Sequence, residues 1–278
     1  MLRQRVITAL VLAALLLPTL WVTSPWPFMV FTLAMISAAA WEWARLNGQS
    51  QAAAVGGAVV VAAAGAWTAS SDWRVGESLW LWWVAVGAWV FGGAWALRGG
   101  PIAWGRWPAG LRAWLGLALL WVGWWALAQA RVIGVNFLLS TLCIVFAADI
   151  AAYFGGRAFG RRKLAPTISP GKSWEGVWSG WAGVLVLAIF WLVLDAKMAT
   201  DSPSVFTLLR QRHGAVWMAL TVLALASLSV VGDLFESMVK RCAGAKDSSR
   251  LLPGHGGVLD RIDALLPVLP CAMALASL

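Results

Sequence analysis

The sequence predicts an all-α, polytopic transmembrane helical bundle, and three observations support that prediction. Of the 278 residues, 61% are hydrophobic and only 12% are charged, so a soluble domain of this composition would expose much apolar surface to water. Apolar runs of about 20 residues, the length of one helical crossing, recur along the whole chain. The 22 tryptophans suit the headgroup region, where an indole ring keeps its body in an apolar environment and its N–H near polar groups.

Nine apolar segments are candidates for crossing the membrane. They cover residues 5–22, 27–44, 52–69, 78–97, 113–130, 133–154, 176–194, 214–235 and 259–278. We interpret the first as a retained span rather than a cleaved signal peptide, because no small-residue cleavage site follows it. The third segment is rich in Ala and Gly and the ninth carries charge, so the count is nine to within about one.

Basic residues set the expected orientation, because cytoplasmic loops retain an excess of Lys and Arg. With a cytoplasmic N-terminus and nine spans, sixteen of the 21 Lys and Arg residues are cytoplasmic. The other side receives only Arg74, Arg131, Lys197, Arg210 and Arg212. We therefore expect the polar chemistry of this integral membrane protein to face the cytoplasm.

Acidic residues divide the chain into two parts. The second part holds the acids that lie on or near the predicted cytoplasmic side, namely Asp149, Glu175, Asp233, Glu236, Asp247, Asp260 and Asp263. We predict an N-terminal transmembrane scaffold at residues 1–130 and a C-terminal catalytic region at residues 131–278.

The end of the sixth span, FAADIAAYFGGRAFGRRK, carries the first candidate site residues. An unpaired carboxylate in an apolar helix is costly, so Asp149 is expected to face a cavity or a partner. Tyr153 lies one turn further along the same helical face. Basic residues at 157–163 and Lys172 follow; they could bind a phosphate or simply hold the loop beside anionic headgroups, and both interpretations stay open.

The eighth span ends with a second set, in VVGDLFESMVKRC. Asp233 and Ser237 are four residues apart and so share one helical face, with Lys240 about one turn further along. A carboxylate and a hydroxyl in this arrangement offer hard oxygen ligands to a divalent cation. Solvated helix ends often have the same composition, so this spacing alone is weak evidence.

The segment KDSSRLLPGHGGVLDRID concentrates charge between two apolar stretches. Asp260 and Asp263 are three residues apart, where like charges repel unless a cation lies beside them. Facing Asp233, they would form a carboxylate-rich cation site. The alternative is that both cap a helix and pair with Arg261.

Glycines in the same segment suit an anion-binding turn. Gly256 and Gly257 allow positive φ and a close approach of backbone N–H groups to a phosphate, and His255 could contribute a further contact. Together with Lys240, Arg241, Lys246 and Arg250, these residues form the set that phosphoryl and nucleotidyl transfer require, because catalysis there is mostly positioning and charge neutralisation. The two histidines of the chain make no case for a zinc site.

The stretch from Ser237 to Asp263 resembles the signature of the phosphatidate cytidylyltransferases, or CDP-diacylglycerol synthases. The positions that match in register are Ser237, Lys240, Arg241, Lys246, Asp247, His255, Gly256, Gly257, Asp260, Arg261 and Asp263. The segments GDLFES, SPGKSWEG, AYFGGRAFG and the opening MLRQRVITAL also look like family segments. Ala264 departs from the pattern, since many members have Ser there.

This resemblance implies the reaction of CTP with phosphatidic acid to give CDP-diacylglycerol and pyrophosphate, with Mg²⁺ as the cofactor and a second cation left open. Asp233 and Asp260 would bind the metal, Ser237 would contact a phosphate or cation, and Asp263 would support the site. Phosphates and substrates would be bound by Lys240, Arg241, Lys246, Arg261, Asp149, Tyr153, Lys172, Asp247, His255, Gly256 and Gly257.

The resemblance also implies partners and a location. We expect CTP, phosphatidic acid and membrane lipids as partners and no nucleic acid, and a homodimer stays open. The expected location is a bacterial inner membrane. Two rival functions are a CTP-dependent polyprenol kinase and an ion-coupled transporter, in which Asp149 and Asp233 would bind the coupling ion.

Overall fold

The fold is known from a computed structural model that describes residues 2–71 and 79–277. Arg74, the first residue of the fourth predicted span and the last residue of the ninth lie outside this described part. Within it, the chain forms helices and one two-stranded hairpin, which confirms the predicted all-α bundle apart from the small hairpin.

Eight helical segments of the described chain are long and apolar enough to cross a membrane. They are α1 Leu2–Trp21, α2 Trp26–Leu46, α3 Gln51–Ser70, the run of α4 Leu79–Gly87, the π-helix Ala88–Gly93 and α5 Ala94–Gly105, then α6 Ala109–Ile133, α7 Val135–Phe159, α8 Trp174–Lys197 and α9 Val205–Cys242. Two of them bend at glycines with positive φ, Gly100 in α5 and Gly214 in α9. These segments confirm the first eight predicted spans in their described part, with boundaries that differ by up to nine residues, the largest difference being at the start of α9.

The ninth predicted span is not one long helix. It consists of α10, Leu259–Ile262, and α11, Leu265–Ala276, and neither is long enough to span a membrane alone. The interruption has a simple cause: Pro267 has no N–H, so the carbonyl of Asp263 lacks its partner four residues on. The backbone keeps helical angles through Asp263 and Ala264, so the direction of the chain is preserved.

Despite this break, the α10–α11 segment runs the length of the bundle beside α9. At one end Lys240 of α9 contacts Asp260, and at the other Arg212 of α9 donates a hydrogen bond to the carbonyl of Ala276. Ten of the twelve residues of α11 are buried, among α4, α6, α7 and α9. The segment is therefore the central element of the fold.

Aromatic packing fixes α9 against the first half of the chain. Phe235 lies beside Trp43, Trp89 and Trp104, with ring centroids 5.9, 5.5 and 5.2 Å away respectively. All four rings are buried. Such aromatic clusters bury large apolar areas and prefer these offset and edge-on geometries, so they hold the polar face of α9 in a defined orientation.

The hairpin lies between α7 and α8. Its strands, β1 Lys163–Ala165 and β2 Ser169–Ser173, pair antiparallel. Glu175 at the start of α8 accepts hydrogen bonds from the backbone N–H groups of Arg161 and Arg162. The helix prediction missed this hairpin because its strands are too short to show a period-two pattern.

Candidate active site

A cavity of about 510 Å³ lies between α7, α8, α9 and the hairpin. We call it the helix cavity. Small and apolar side chains form most of its wall, and the polar residues that line it include Asp149, Tyr153, Arg157, Lys172 and Asp233. As expected from its position in an apolar helix, Asp149 faces a cavity, and Tyr153 lies beside it.

One ion pair closes the polar end of the helix cavity. The ammonium of Lys172 lies 2.8 Å from Oδ2 of Asp233, and the side chains are 25% and 30% exposed. Ser237 donates a hydrogen bond of 3.2 Å to the other oxygen of Asp233, which confirms that these two residues share a helical face. Lys172 reaches this position because β2 carries it from the hairpin towards α9.

A second cavity, of about 580 Å³, is formed by the loop between α9 and α10. We call it the loop cavity. Its lining includes four side chains that carry a formal positive charge, Arg5, Lys246, Arg250 and Arg261, together with His255 and the acid Asp247. A concave surface with this excess of positive charge attracts polyphosphate anions.

On α9, Lys240 lies between Asp233, which lines the helix cavity, and the loop that forms the loop cavity, and it pairs with Asp260. The ammonium of Lys240 is 2.6 Å from Oδ1 of Asp260 and also contacts the buried carboxylate of Glu236. The other oxygen of Asp260 accepts hydrogen bonds from the N–H groups of Ser248 and Gly257, at 2.9 and 2.8 Å, and shares the hydroxyl proton of Ser248 with Glu42. Asp260 therefore joins α9 to both ends of the loop between α9 and α10, which we call the glycine loop.

Glu42 is a site residue that the sequence analysis missed. It lies on α2, in the predicted scaffold, and is fully buried. Its carboxylate accepts hydrogen bonds from the backbone N–H groups of Val258 and Leu259, at 3.0 and 2.7 Å, and from the hydroxyls of Ser248 and Ser249. An acid within an apolar helix was the available signal, the same one that singled out Asp149.

The glycine turn has the backbone geometry that the sequence predicts. Gly256 has a φ of +81°, which disfavours any side chain. A Cβ atom on Gly257 would lie 1.9 Å from Oγ of Ser248 and 2.5 Å from Oε1 of Glu42, so only glycine fits there. The structure thus explains both glycines by local packing; a phosphate contact stays a prediction.

Other predicted site residues have structural partners. Arg241 donates a hydrogen bond to the carbonyl of Ile168 in the hairpin. Asp263 accepts one from the N–H of Ala264, the next residue, and neither α10 nor α11 has a side-chain cap at its start, so the capping alternative is wrong. Arg261 instead donates to the carbonyl of His255, and no ion pair joins it to Asp260 or Asp263 within the described residues.

These side-chain contacts do not test the prediction that Asp233 and Asp260 bind a metal ion. Asp233 and Asp260 are each paired with a lysine, and within residues 2–71 and 79–277 no group of three or more His, Cys, Asp or Glu side chains is arranged to hold a metal ion. That the two carboxylates share one cation stays a prediction. The division at residue 130 also stays a prediction, although Arg5 and Glu42 of the first part contact the loop.

Comparison with known proteins places these features in context. The protein-family model described as "Cytidylyltransferase family" matches residues 3–278 of this chain. A phosphatidate cytidylyltransferase of Pseudomonas aeruginosa is 41% identical over 290 aligned residues, which cover 99% of this chain and 97% of the relative. One of Brucella suis is 35% identical, covering 95% and 89%, and one of Haemophilus influenzae is 50% identical over 137 residues, covering 49% and 44%.

Proposed function

Because the chain belongs to the cytidylyltransferase family, we propose that it transfers CMP from CTP to phosphatidic acid, giving CDP-diacylglycerol and pyrophosphate. One observation supports this function more than any other: a mostly apolar cavity lies between membrane helices and includes Asp233 of α9, and a basic cavity is formed by the loop that follows α9. A lipid substrate and a water-soluble polyphosphate need two such compartments.

We assign phosphatidic acid to the helix cavity. Its acyl chains would lie along the apolar walls, with the phosphate near Lys172. Tyr153 lines this cavity and is 61% exposed on the outer surface, and Phe154 next to it is 64% exposed. These aromatic side chains support a lateral opening through which a lipid could enter from the bilayer at headgroup depth.

CTP would bind with its phosphates in the loop cavity. A phosphatidate oxygen then forms a bond to the α-phosphorus, and the bond from that phosphorus to the oxygen bridging to the β-phosphorus breaks, so that pyrophosphate leaves. Lys240 would stabilise negative charge that develops between the two cavities, because a cation in a partly buried site is weakly screened. Lys246 and Arg261 would hold the phosphates that depart.

The carboxylates fit Mg²⁺ by the chemistry of their oxygens. Mg²⁺ is usually bound by one or two carboxylates, with substrate phosphates and waters supplying the remaining ligands. Asp233 and Asp260 would hold it. When bound, the ion would neutralise charge on the phosphate oxygens. Lys172 and Lys240, which now pair with these acids, would then be available to the phosphates.

The test is incubation of the purified protein with phosphatidic acid, Mg²⁺ and CTP labelled in either the α- or the γ-phosphate. Transfer of the α-label to the lipid phase, with release of γ-labelled pyrophosphate, is the expected result. Transfer of the γ-label to a lipid would indicate a kinase instead. Failure to label any lipid, while ions move across a vesicle membrane, would favour the transporter.

We also propose a cytoplasmic site and N-terminus, on the basis of the basic residues of the loops. Single cysteines at Ser70 and Ala165, in a chain whose three native cysteines are replaced, test the orientation. An impermeant thiol reagent added outside intact cells should label position 70 and leave position 165 unlabelled. Labelling of position 165 alone would reverse the proposed orientation.

A further inference from the structure

Helix α1 differs from the other long helices in how it contacts the protein. None of its described side chains is buried, and its contacts with the rest of the bundle are mainly to α2. Its N-terminal end, in contrast, touches the loop between α9 and α10. The hydroxyl of Thr8 donates a 2.9 Å hydrogen bond to the carbonyl of Pro253, and Arg5 lines the loop cavity.

The contact between Arg5 and the loop is tight. Gly254 has a φ of +77°, and a Cβ atom there would lie 2.9 Å from Cγ of Arg5 and 3.2 Å from its backbone nitrogen. The first turn of α1 is thus packed directly on the loop. A glycine at this position both permits the backbone conformation and leaves room for Arg5.

The guanidinium of Arg5 is not neutralised by the protein. It forms no ion pair or side-chain hydrogen bond with the described residues, although it shares the cavity with Lys246, Arg250 and Arg261. Four cationic groups and one acid, Asp247, line this concavity, so it carries an excess of positive charge that favours a multiply charged anion. Arginine also binds phosphate oxygens with two parallel hydrogen bonds.

We infer that Arg5, from the N-terminal end of α1, binds the part of the nucleotide triphosphate that leaves as pyrophosphate. Along the loop, Gly256 lies against Asp260 and Gly254, two residues earlier, lies against Arg5, so the two side chains contact the loop at different points. The β- and γ-phosphates would lie near Arg5 when the α-phosphate is near Lys240 and Asp260. This inference rests on the proposed function and adds a substrate contact from outside the predicted catalytic region.

The experiment compares Arg5→Ala and Arg5→Lys with Arg3→Ala, a matched control on the same exposed helical turn that does not line the cavity. For each, KM for CTP, KM for phosphatidic acid and inhibition by added pyrophosphate are measured. We expect Arg5→Ala to raise KM for CTP and the inhibition constant of pyrophosphate by a similar factor, on the order of tenfold for a lost charge-assisted contact. KM for phosphatidic acid should not change, Arg5→Lys should restore part of the effect, and Arg3→Ala should match the wild type.

Each outcome bears on the inference. If Arg5→Ala lowers kcat and leaves both CTP and pyrophosphate binding unchanged, the side chain only holds the loop, and the inference is wrong. An equal effect of Arg3→Ala would show that general positive charge near the membrane, rather than a contact, is responsible. If Arg5→Ala does not fold, Arg5→Lys still decides, because a change in pyrophosphate inhibition cannot arise from lost stability alone. Absence of lipid labelling by the wild type would contradict the proposed function itself, which is a separate result.

Discussion

The helix cavity and the loop cavity have similar volumes but opposite chemistry. The first lies between transmembrane helices and has one ion pair, Lys172 with Asp233, at its polar end. The second is built from an irregular loop and the end of α1, and its lining has four basic side chains and one acid. On the proposed assignment, the difference shows how one protein could serve a substrate that stays in the bilayer and one that arrives from water: each substrate would have its own compartment, and only the reacting groups would need to meet.

A further contrast concerns how the two loops are held. The hairpin beside the helix cavity is fixed by Glu175, which accepts two backbone N–H groups near the surface. The glycine loop is fixed by Glu42, which is fully buried and accepts four hydrogen bonds. Both carboxylates accept hydrogen bonds from backbone N–H groups that have no regular secondary-structure partner. Loss of these bonds should lower the free energy of unfolding more at the buried carboxylate.

The largest effect is expected for Asp260→Asn, which acts on the connection between the cavities. An amide is a poorer ligand for a hard cation. Its NH2 group would also face either Lys240 or the loop N–H groups whose hydrogen bonds Asp260 accepts. We expect kcat to fall on the order of 10²–10³-fold, the usual range for loss of one stabilising group in a polar site. Steady-state kinetics at saturating Mg²⁺ measures this, and thermal unfolding checks the fold. Activity within a few-fold of the wild type would make Asp260 a structural cap only.

A smaller and more selective effect is expected for Lys172→Ala. This change removes the cation at the end of the helix cavity and leaves Asp233 unpaired. KM for phosphatidic acid should rise about tenfold, the effect of one charge-assisted contact, while KM for CTP stays within a factor of about two. Lys163→Ala in the same hairpin is the matched control, because Lys163 is exposed and does not line the cavity. A rise in KM for CTP of the same size would mean that the two compartments are not separate.

The smallest effect on activity is expected from the two carboxylates that hold the loops. Glu42→Gln places an amide N–H among buried donors and should lower the free energy of unfolding by about 1–3 kcal/mol, with KM for CTP affected more than KM for phosphatidic acid. Glu175→Gln, at a water-accessible site, should lower the free energy of unfolding less than Glu42→Gln does, and any effect on KM should be on that for phosphatidic acid. Chemical denaturation in detergent and paired KM measurements compare them. Equal losses from both variants would show that burial does not distinguish the two loops.

Composition and hydropathy were sufficient to predict the architecture. Eight long helices follow the apolar runs, and the exceptions have local causes: Pro267 divides the ninth segment, and the hairpin is too short to give a pattern. Periodicity along one helix also placed Ser237 next to Asp233 correctly.

Contacts between distant parts of the chain could not be predicted in this way. Nothing in the spacing of residues indicates that Lys172 pairs with Asp233, that Lys240 pairs with Asp260, or that Glu42 holds the glycine loop. Glu42 and Arg5 were overlooked because the first half of the chain has few acids and its basic residues resemble ordinary topological signals. Such residues acquire a role only when the helices are assembled.

The position of α11 has a consequence for how the protein is made. This helix follows α4, α6, α7 and α9 in the chain and is therefore synthesised after them, yet it occupies the centre of the bundle that they form. The earlier helices must therefore enter the membrane before the element that fills the space between them, and Asp260 reaches Lys240 only when that element docks. A chain that stopped after α9 would leave the space among these helices unfilled and Lys240 without Asp260, so assembly of the site depends on synthesis of α10 and α11.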